Sequence, residues 1–183
     1  MDLVAALDQT FAHAHGVIAN VRPDQYDNRT PCTEWTVRDL LEHMVGVVTG
    51  IGGAAAGTPP QSGGAFELSD DPAGQFEAAA KASVAAWDAD GVMDQIVDGG
   101  AGPMPGRILA GINLLDTATH TWDLATATGQ PAALPDDVAA AALEVSGQIV
   151  SPEIRTGRFD AELPASPDAT TTERLVAFLG RKA

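Results

Sequence analysis

Three side chains able to bind a metal ion or carry a proton fall within eight residues of one another: Asp116, His120 and Asp123. Their spacings of four and three place them on a single face of a helix. The same face reads Leu109 and Ile112 before them and Ala127 after them, so an apolar stripe turns polar halfway along. A carboxylate and an imidazole taken out of water are costly unless they pair with each other or bind something. Two chemistries follow. Asp116 and His120, one helical turn apart, can chelate a metal ion, or they can form a buried pair with no metal at all.

A metal normally requires at least a third protein ligand. The chain has four histidines, His13, His15, His43 and His120. His13 and His15 are two apart and point to opposite sides of their helix, so they cannot chelate one ion together. His43 is the better candidate, on the flank of an apolar stripe in line with Leu40 and Val47. Facing helices of a bundle can bring it to the Asp116/His120 pair. Two imidazoles and one carboxylate would leave coordination positions open, as a catalytic site does and a closed structural site does not. The spacing alone is unspecific; the place of the pair inside an apolar stripe gives it weight. The bland alternatives are that His120 is a core histidine bonded to Asp116 or Asp123, and that His43 is an exposed flank residue beside Glu42. Asp123 is open to three roles: a ligand, a surface acid, or, as the preferred reading, the acceptor behind His120 that orients it. Trp35 and Trp122 read as packing residues. Cys32, just ahead of a helix start, reads as a small apolar filler, the alternative being a thiol activated by the helix N-terminus.

The elements that must position these residues are helical. Residues 2–21 repeat apolar side chains at helical spacing through Leu3, Leu7, Phe11, Ala14 and Ile18, and Pro23 ends the run. Thr36 and Asp39 form a short capping box, with Trp35 and Leu40 at the staple positions, so a second helix starts there and runs to about Gly50. Residues 57–72, rich in Gly, Pro and Ser, read as a loop. A third helix is expected over about 73–89 and a fourth from Gly106 to Thr128, with Gly129 as its C′ residue. Residues 91–105 read as irregular or briefly extended. A fifth helix opens at Pro135-Asp136-Asp137 and runs to about Ile149, residues 151–169 read as loop, and Thr172 to Leu179 close with a short helix. The pattern predicts a mainly all-α fold, a four-helix bundle with a small C-terminal appendage. The expected organisation is a bundle with the metal site over 1–150 and a short extension over 151–183 packed on it.

Composition bounds the function. The 183 residues fit one domain with a sizeable core, and 45% are hydrophobic. Ten Lys and Arg against 25 Asp and Glu give a net charge of -15, which repels phosphate backbones and argues against nucleic acid as a partner. One cysteine cannot form an internal disulfide, no basic region followed by an apolar run opens the chain, and no apolar run is long enough to span a membrane. These features lead to the expectation of a cytoplasmic protein without a membrane partner.

Three stretches carry a family resemblance. Thr30–His43, reading TPCTEWTVRDLLEH, His120–Gly129, reading HTWDLATATG, and Arg174–Arg181, reading RLVAFLGR, resemble blocks of the actinobacterial DinB-like metal-binding proteins related to mycothiol-dependent maleylpyruvate isomerase. The resemblance implies a DinB-like four-helix bundle with a divalent metal, commonly zinc, with nickel, manganese or iron as alternatives. It selects His43, Asp116 and His120 as ligands, with Glu in the related isomerase where this chain has Asp116. It also implies mycothiol or a similar thiol as cofactor and a small electrophile as substrate, hence an S-transferase or an isomerase. The other reading is a non-catalytic metal-dependent ligand carrier or sensor. Related bundles include homodimers, so that assembly stays open. The resembling isomerase is longer, with a larger C-terminal domain, so its substrate does not transfer simply.

Overall fold

The computed structural model describes residues 2–32, 34–59, 66–100, 102–156 and 159–182. It is mainly helical, and its element order is α1 (Leu3–Ala19), α2 (Val37–Ala55), α3 (Pro72–Trp87), the strands β1 (Ile96–Asp98) and β2 (Pro103–Pro105), then α4 (Gly106–Thr128), α5 (Asp136–Ile149), α6 (Pro152–Arg155) and α7 (Thr171–Phe178). The first four long helices close a ring in which α2 packs on α3 and α4, and α1 packs on the same two from the other side. This is the four-helix bundle expected from the hydrophobic periods. α5 lies against α4 and α1, and α7 lies on α5.

Residue chemistry sets the helix ends. Asp2 accepts from the amides of Val4 and Ala5 to start α1. At α2 the capping box is closed both ways: Thr36 Oγ1 accepts from Asp39 N at 3.3 Å, and Asp39 Oδ2 accepts from Thr36 N at 2.8 Å. Thr170 and Glu173 repeat the motif at α7. Gly129 ends α4 in the left-handed conformation, φ 69°, where a side chain would be strained.

α4 has no side-chain cap, and the small β1–β2 hairpin takes that role. Gly106 N donates to Gln95 O at 2.8 Å, and a Cβ on Gly106 would lie 2.3 Å from Val92 O. Within the stretch expected to be irregular or briefly extended, a 3-10 turn over Val92–Asp94 leads into the antiparallel pair β1–β2, with Val97 opposite Met104. The expected loop 151–169 holds one helical turn, α6, capped by Ser151. Part of the expected loop 57–72 falls on residues 60–65, outside the described residues.

The core is built from Leu7, Phe11 and Ile18 of α1, Leu40, Leu41, Met44 and Val48 of α2, Phe76 and Trp87 of α3, and α4. Seventeen of the 23 residues of α4 are buried, so it is surrounded rather than amphipathic. Thr119, Thr121 and Thr128 satisfy their hydroxyls on carbonyls four residues back, at 2.7 Å each, and so fill core space without needing partners elsewhere. Among the described residues no helix is long and apolar enough to cross a membrane.

The capping boxes predict an acid-side dependence. Bonds from Thr36 hold the Asp39 carboxyl below its ordinary 3.8, and bonds from Thr170 hold Glu173 below its ordinary 4.5. Both values return to ordinary on unfolding, so the folded chain holds fewer protons in that interval. This stability is complete above the ordinary values and is lost as pH falls through them. Urea unfolding of Asp39→Asn/Glu173→Gln should show a smaller loss of stability between about pH 5 and pH 3 than the native chain. Equal slopes would refute the role.

Candidate functional site

The site forms where α2 and α4 face each other. His43 Nε2 lies 3.1 Å from Asp116 Oδ1, and His120 Nε2 lies 3.6 Å from the same oxygen. One donor atom from each of the three residues falls within 4.8 Å of the other two. The trio selected from sequence is thus brought together. Its side chains are 26%, 23% and 10% exposed, in the order His43, Asp116, His120, so the cluster is open to solvent on one side. An open cleft of about 450 Å³ begins at His43 and is lined also by Glu34, Trp35, Asp39, Glu42 and Phe66. Asp116 and His120 do not line it.

The loop between α1 and α2 builds one wall. Gln25 Nε2 donates to Thr128 O and Asn28 Nδ2 to Ala127 O, which ties the loop to the end of α4. Thr30 Oγ1 closes the loop on the carbonyls of Cys32 and Trp35. Trp35 is thereby laid against both imidazoles, with ring centroids 4.5 Å from His43 and 5.6 Å from His120. The packing role expected for Trp35 is specific: it packs on the site.

Burial alone would raise the Asp116 carboxyl, but the imidazoles of His120 and His43 outweigh burial and hold it below the ordinary carboxylate value. Asp116 Oδ2 is buried and has no hydrogen-bond partner among the described residues. Such an orphaned carboxylate oxygen costs free energy unless a cation or a donor reaches it.

His120 is held from behind. Its Nδ1 lies 2.9 Å from Asp123 Oδ2, and Asp123 has no exposed surface. Burial would raise Asp123 as well, but the bonds from His120 and Arg181 prevail and keep it ionised. An ionised carboxylate only accepts, so the network places a His120 proton on Nδ1 and leaves Nε2 facing Asp116. Asp123 is in turn clamped by Arg181, with Nε on Oδ1 and Nη2 on Oδ2, both at 2.8 Å. Sequence reading missed Arg181 as a site residue. The signal available was its place at the end of the RLVAFLGR block.

Cys32 offers its sulfur near His120 and Asp123. Burial pushes its thiol up, and the Asp123 charge pushes it further. Cys32 is half-buried, and its raised thiol lends no support to the activated-thiol alternative. His13 and His15 are half-buried on α1 and join no donor cluster among the described residues. Burial lowers the His13 imidazole.

Fold and site together define a DinB-like helical bundle with a His–Asp–His cluster between its second and fourth helices. Residues 7–125 match the mycothiol maleylpyruvate isomerase N-terminal domain, and the chain belongs to that family. Two Mycobacterium tuberculosis proteins, the uncharacterized proteins MT0763 and Rv0738, are each 36% identical over 185 residues, covering 96% of this chain and 98% of theirs. No solved structure matches the chain. The matched region holds His43, Asp116, His120 and Asp123 and stops before Arg181.

Proposed function

We propose that the chain is a divalent-metal protein that works with a low-molecular-weight thiol of the mycothiol type, as an S-transferase or an isomerase. His43 Nε2, Asp116 and His120 Nε2 would hold the metal, zinc in the first place. The carrying observation is the meeting of His43 Nε2 and His120 Nε2 on Asp116 Oδ1, with the second carboxylate oxygen, Oδ2, left without a partner among the described residues. Three ligands with one open side suit a catalytic metal. When bound, such a metal lowers the pKa of a coordinating thiol and so supplies a thiolate at neutral pH.

The chain's own residues do the rest. Asp123 fixes the His120 tautomer, Trp35 packs against both imidazoles, and the cleft at His43 gives a small electrophile its approach. The division proposed from sequence fits this use: residues 1–150 would carry the ligands, and the extension over 151–183 would supply Arg181. A non-catalytic carrier is the second reading. It is favoured by the commitment of Asp123 to Arg181 and His120, which leaves that acid no freedom to shuttle a proton.

Elemental analysis of native protein beside His120→Ala tests the metal. Stoichiometric metal should be found in the first and lost in the second, while equal metal in both, or none in either, overturns the site. Thiol-dependent turnover of a generic electrophile by the loaded protein then separates enzyme from carrier.

A further inference from the structure

Arg181 reaches Asp123 from a helix end built to aim it. α7 finishes with Gly180 N donating to Ala177 O at 3.0 Å and Arg181 N donating to Val176 O at 2.8 Å. These are the two bonds of a Schellman motif. Gly180 sits at φ 79°, and a Cβ there would lie 2.6 Å from Asp160 Cβ, so only glycine fits this turn without strain. From it the Arg181 side chain runs inward until it is 12% exposed and closes a two-bond fork on an acid with no exposure at all. That acid's Oδ2 also takes the His120 Nδ1 proton. Arg181 therefore acts on His120 through one shared carboxylate, 58 residues from Asp123 in the chain.

We propose that Arg181 is a positioning residue: by locking Asp123 it sets the tautomer and ring orientation of His120, so that docking of segment 159–182 and metal affinity at His43, Asp116 and His120 form one coupled equilibrium. The metal half rests on the proposed metal site; the tautomer half does not. Removing the groups that orient a ligating histidine commonly lowers metal affinity about 10–100-fold. Coupling is reciprocal, so metal must tighten the docked segment by the same factor.

The test has two readouts on the full chain. In metal-free protein, nitrogen-15 spectra of the imidazoles should show His120 protonated at Nδ1, and this preference should weaken in Arg181→Met. Zinc affinity, measured by competition with a chelating dye, should fall about 10–100-fold in Arg181→Met and less in Arg181→Lys, which keeps the charge but not the fork. In the native chain, zinc should slow exchange of the Arg181 amide with deuterium. Should Arg181→Met fail to fold, Arg181→Lys and Gly180→Ala carry the same readouts, the latter changing the aim without touching the site. A native tautomer and native zinc affinity in folded variants would overturn the proposal. A native chain that binds no zinc would refute the metal site and with it the coupling, while the tautomer spectra still decide the positioning role.

Discussion

Asp123→Ala is expected to remove about 3–5 kcal/mol of folding stability, the usual cost of stranding a buried charge. The substitution takes both acceptors from Arg181, whose side chain is 12% exposed and cannot turn to water without undocking the end of α7. It also leaves His120 Nδ1 without its acceptor. Cavity formation adds to the loss, since Asp123 is wholly enclosed. Exposed pairs set the contrast: Arg22–Asp24, at 64% and 71% exposure, and Lys81–Glu77, at 73% and 48%, are screened by water and should contribute little. Urea titration decides the matter. A loss for Asp123→Ala no larger than that for Glu77→Ala would mean that the Asp123–Arg181 fork does not hold the fold. Asp123→Asn should fall between the native chain and Asp123→Ala, because one carbonyl oxygen still accepts.

Gly52→Val should be the other large loss, about 3 kcal/mol or more. α2 and α3 are in close approach here: an ideal Cβ on Gly52 would lie 2.7 Å from Ser83 Cβ and 2.8 Å from Ser83 Cα. One of these neighbours is backbone, so the helices must move apart, and Ser83 would pull on the bond it shares with Asn113 Nδ2. Helix propensity works the other way for a smaller side chain, alanine gaining about 1 kcal/mol over glycine. At Gly52 the clash exceeds that gain. At Gly50, two residues earlier on the same helix, nothing lies within 4 Å, and Gly50→Ala should stabilise by about 0.5–1 kcal/mol. Opposite signs at Gly50 and Gly52 in thermal unfolding would bear this out. A stabilising Gly52→Ala would show that the two helices are not in the described contact.

What could be read from sequence follows how local each determinant is. Thr36 with Asp39, and Gly129 after α4, announce their helix ends because the bonds involved span three or four residues. Asp116 and His120 were legible for the same reason: one helical turn separates them. His43 was legible only as a flank residue that a facing helix could deliver, and the family resemblance selected it. Residues 91–105 were read only as irregular or briefly extended, because the paired strands are three residues each and β2 bears two prolines, too short for an alternating pattern. α6 escaped among prolines and glycines that read as turns. Arg181 escaped because no spacing rule links it to an acid 58 residues away; its partner is set by how α7 lies on α5 and α5 on α4. α4 resisted amphipathic analysis beyond its polar patch, since its threonines look polar in sequence yet are satisfied on their own helix.

The placement of Trp35 has an optical consequence. Of the three indoles, Trp87 and Trp122 are buried at 1% and 5% exposure, whereas Trp35 is only half-buried and lies tilted against the two imidazoles. Excited-state quenching by a neighbouring imidazole depends on whether that ring is neutral, protonated or coordinated. The emission of Trp35 should therefore respond to the state of His43 and His120. An unlabelled chain should thus report a change at these two imidazoles through its own emission, before any substrate is known.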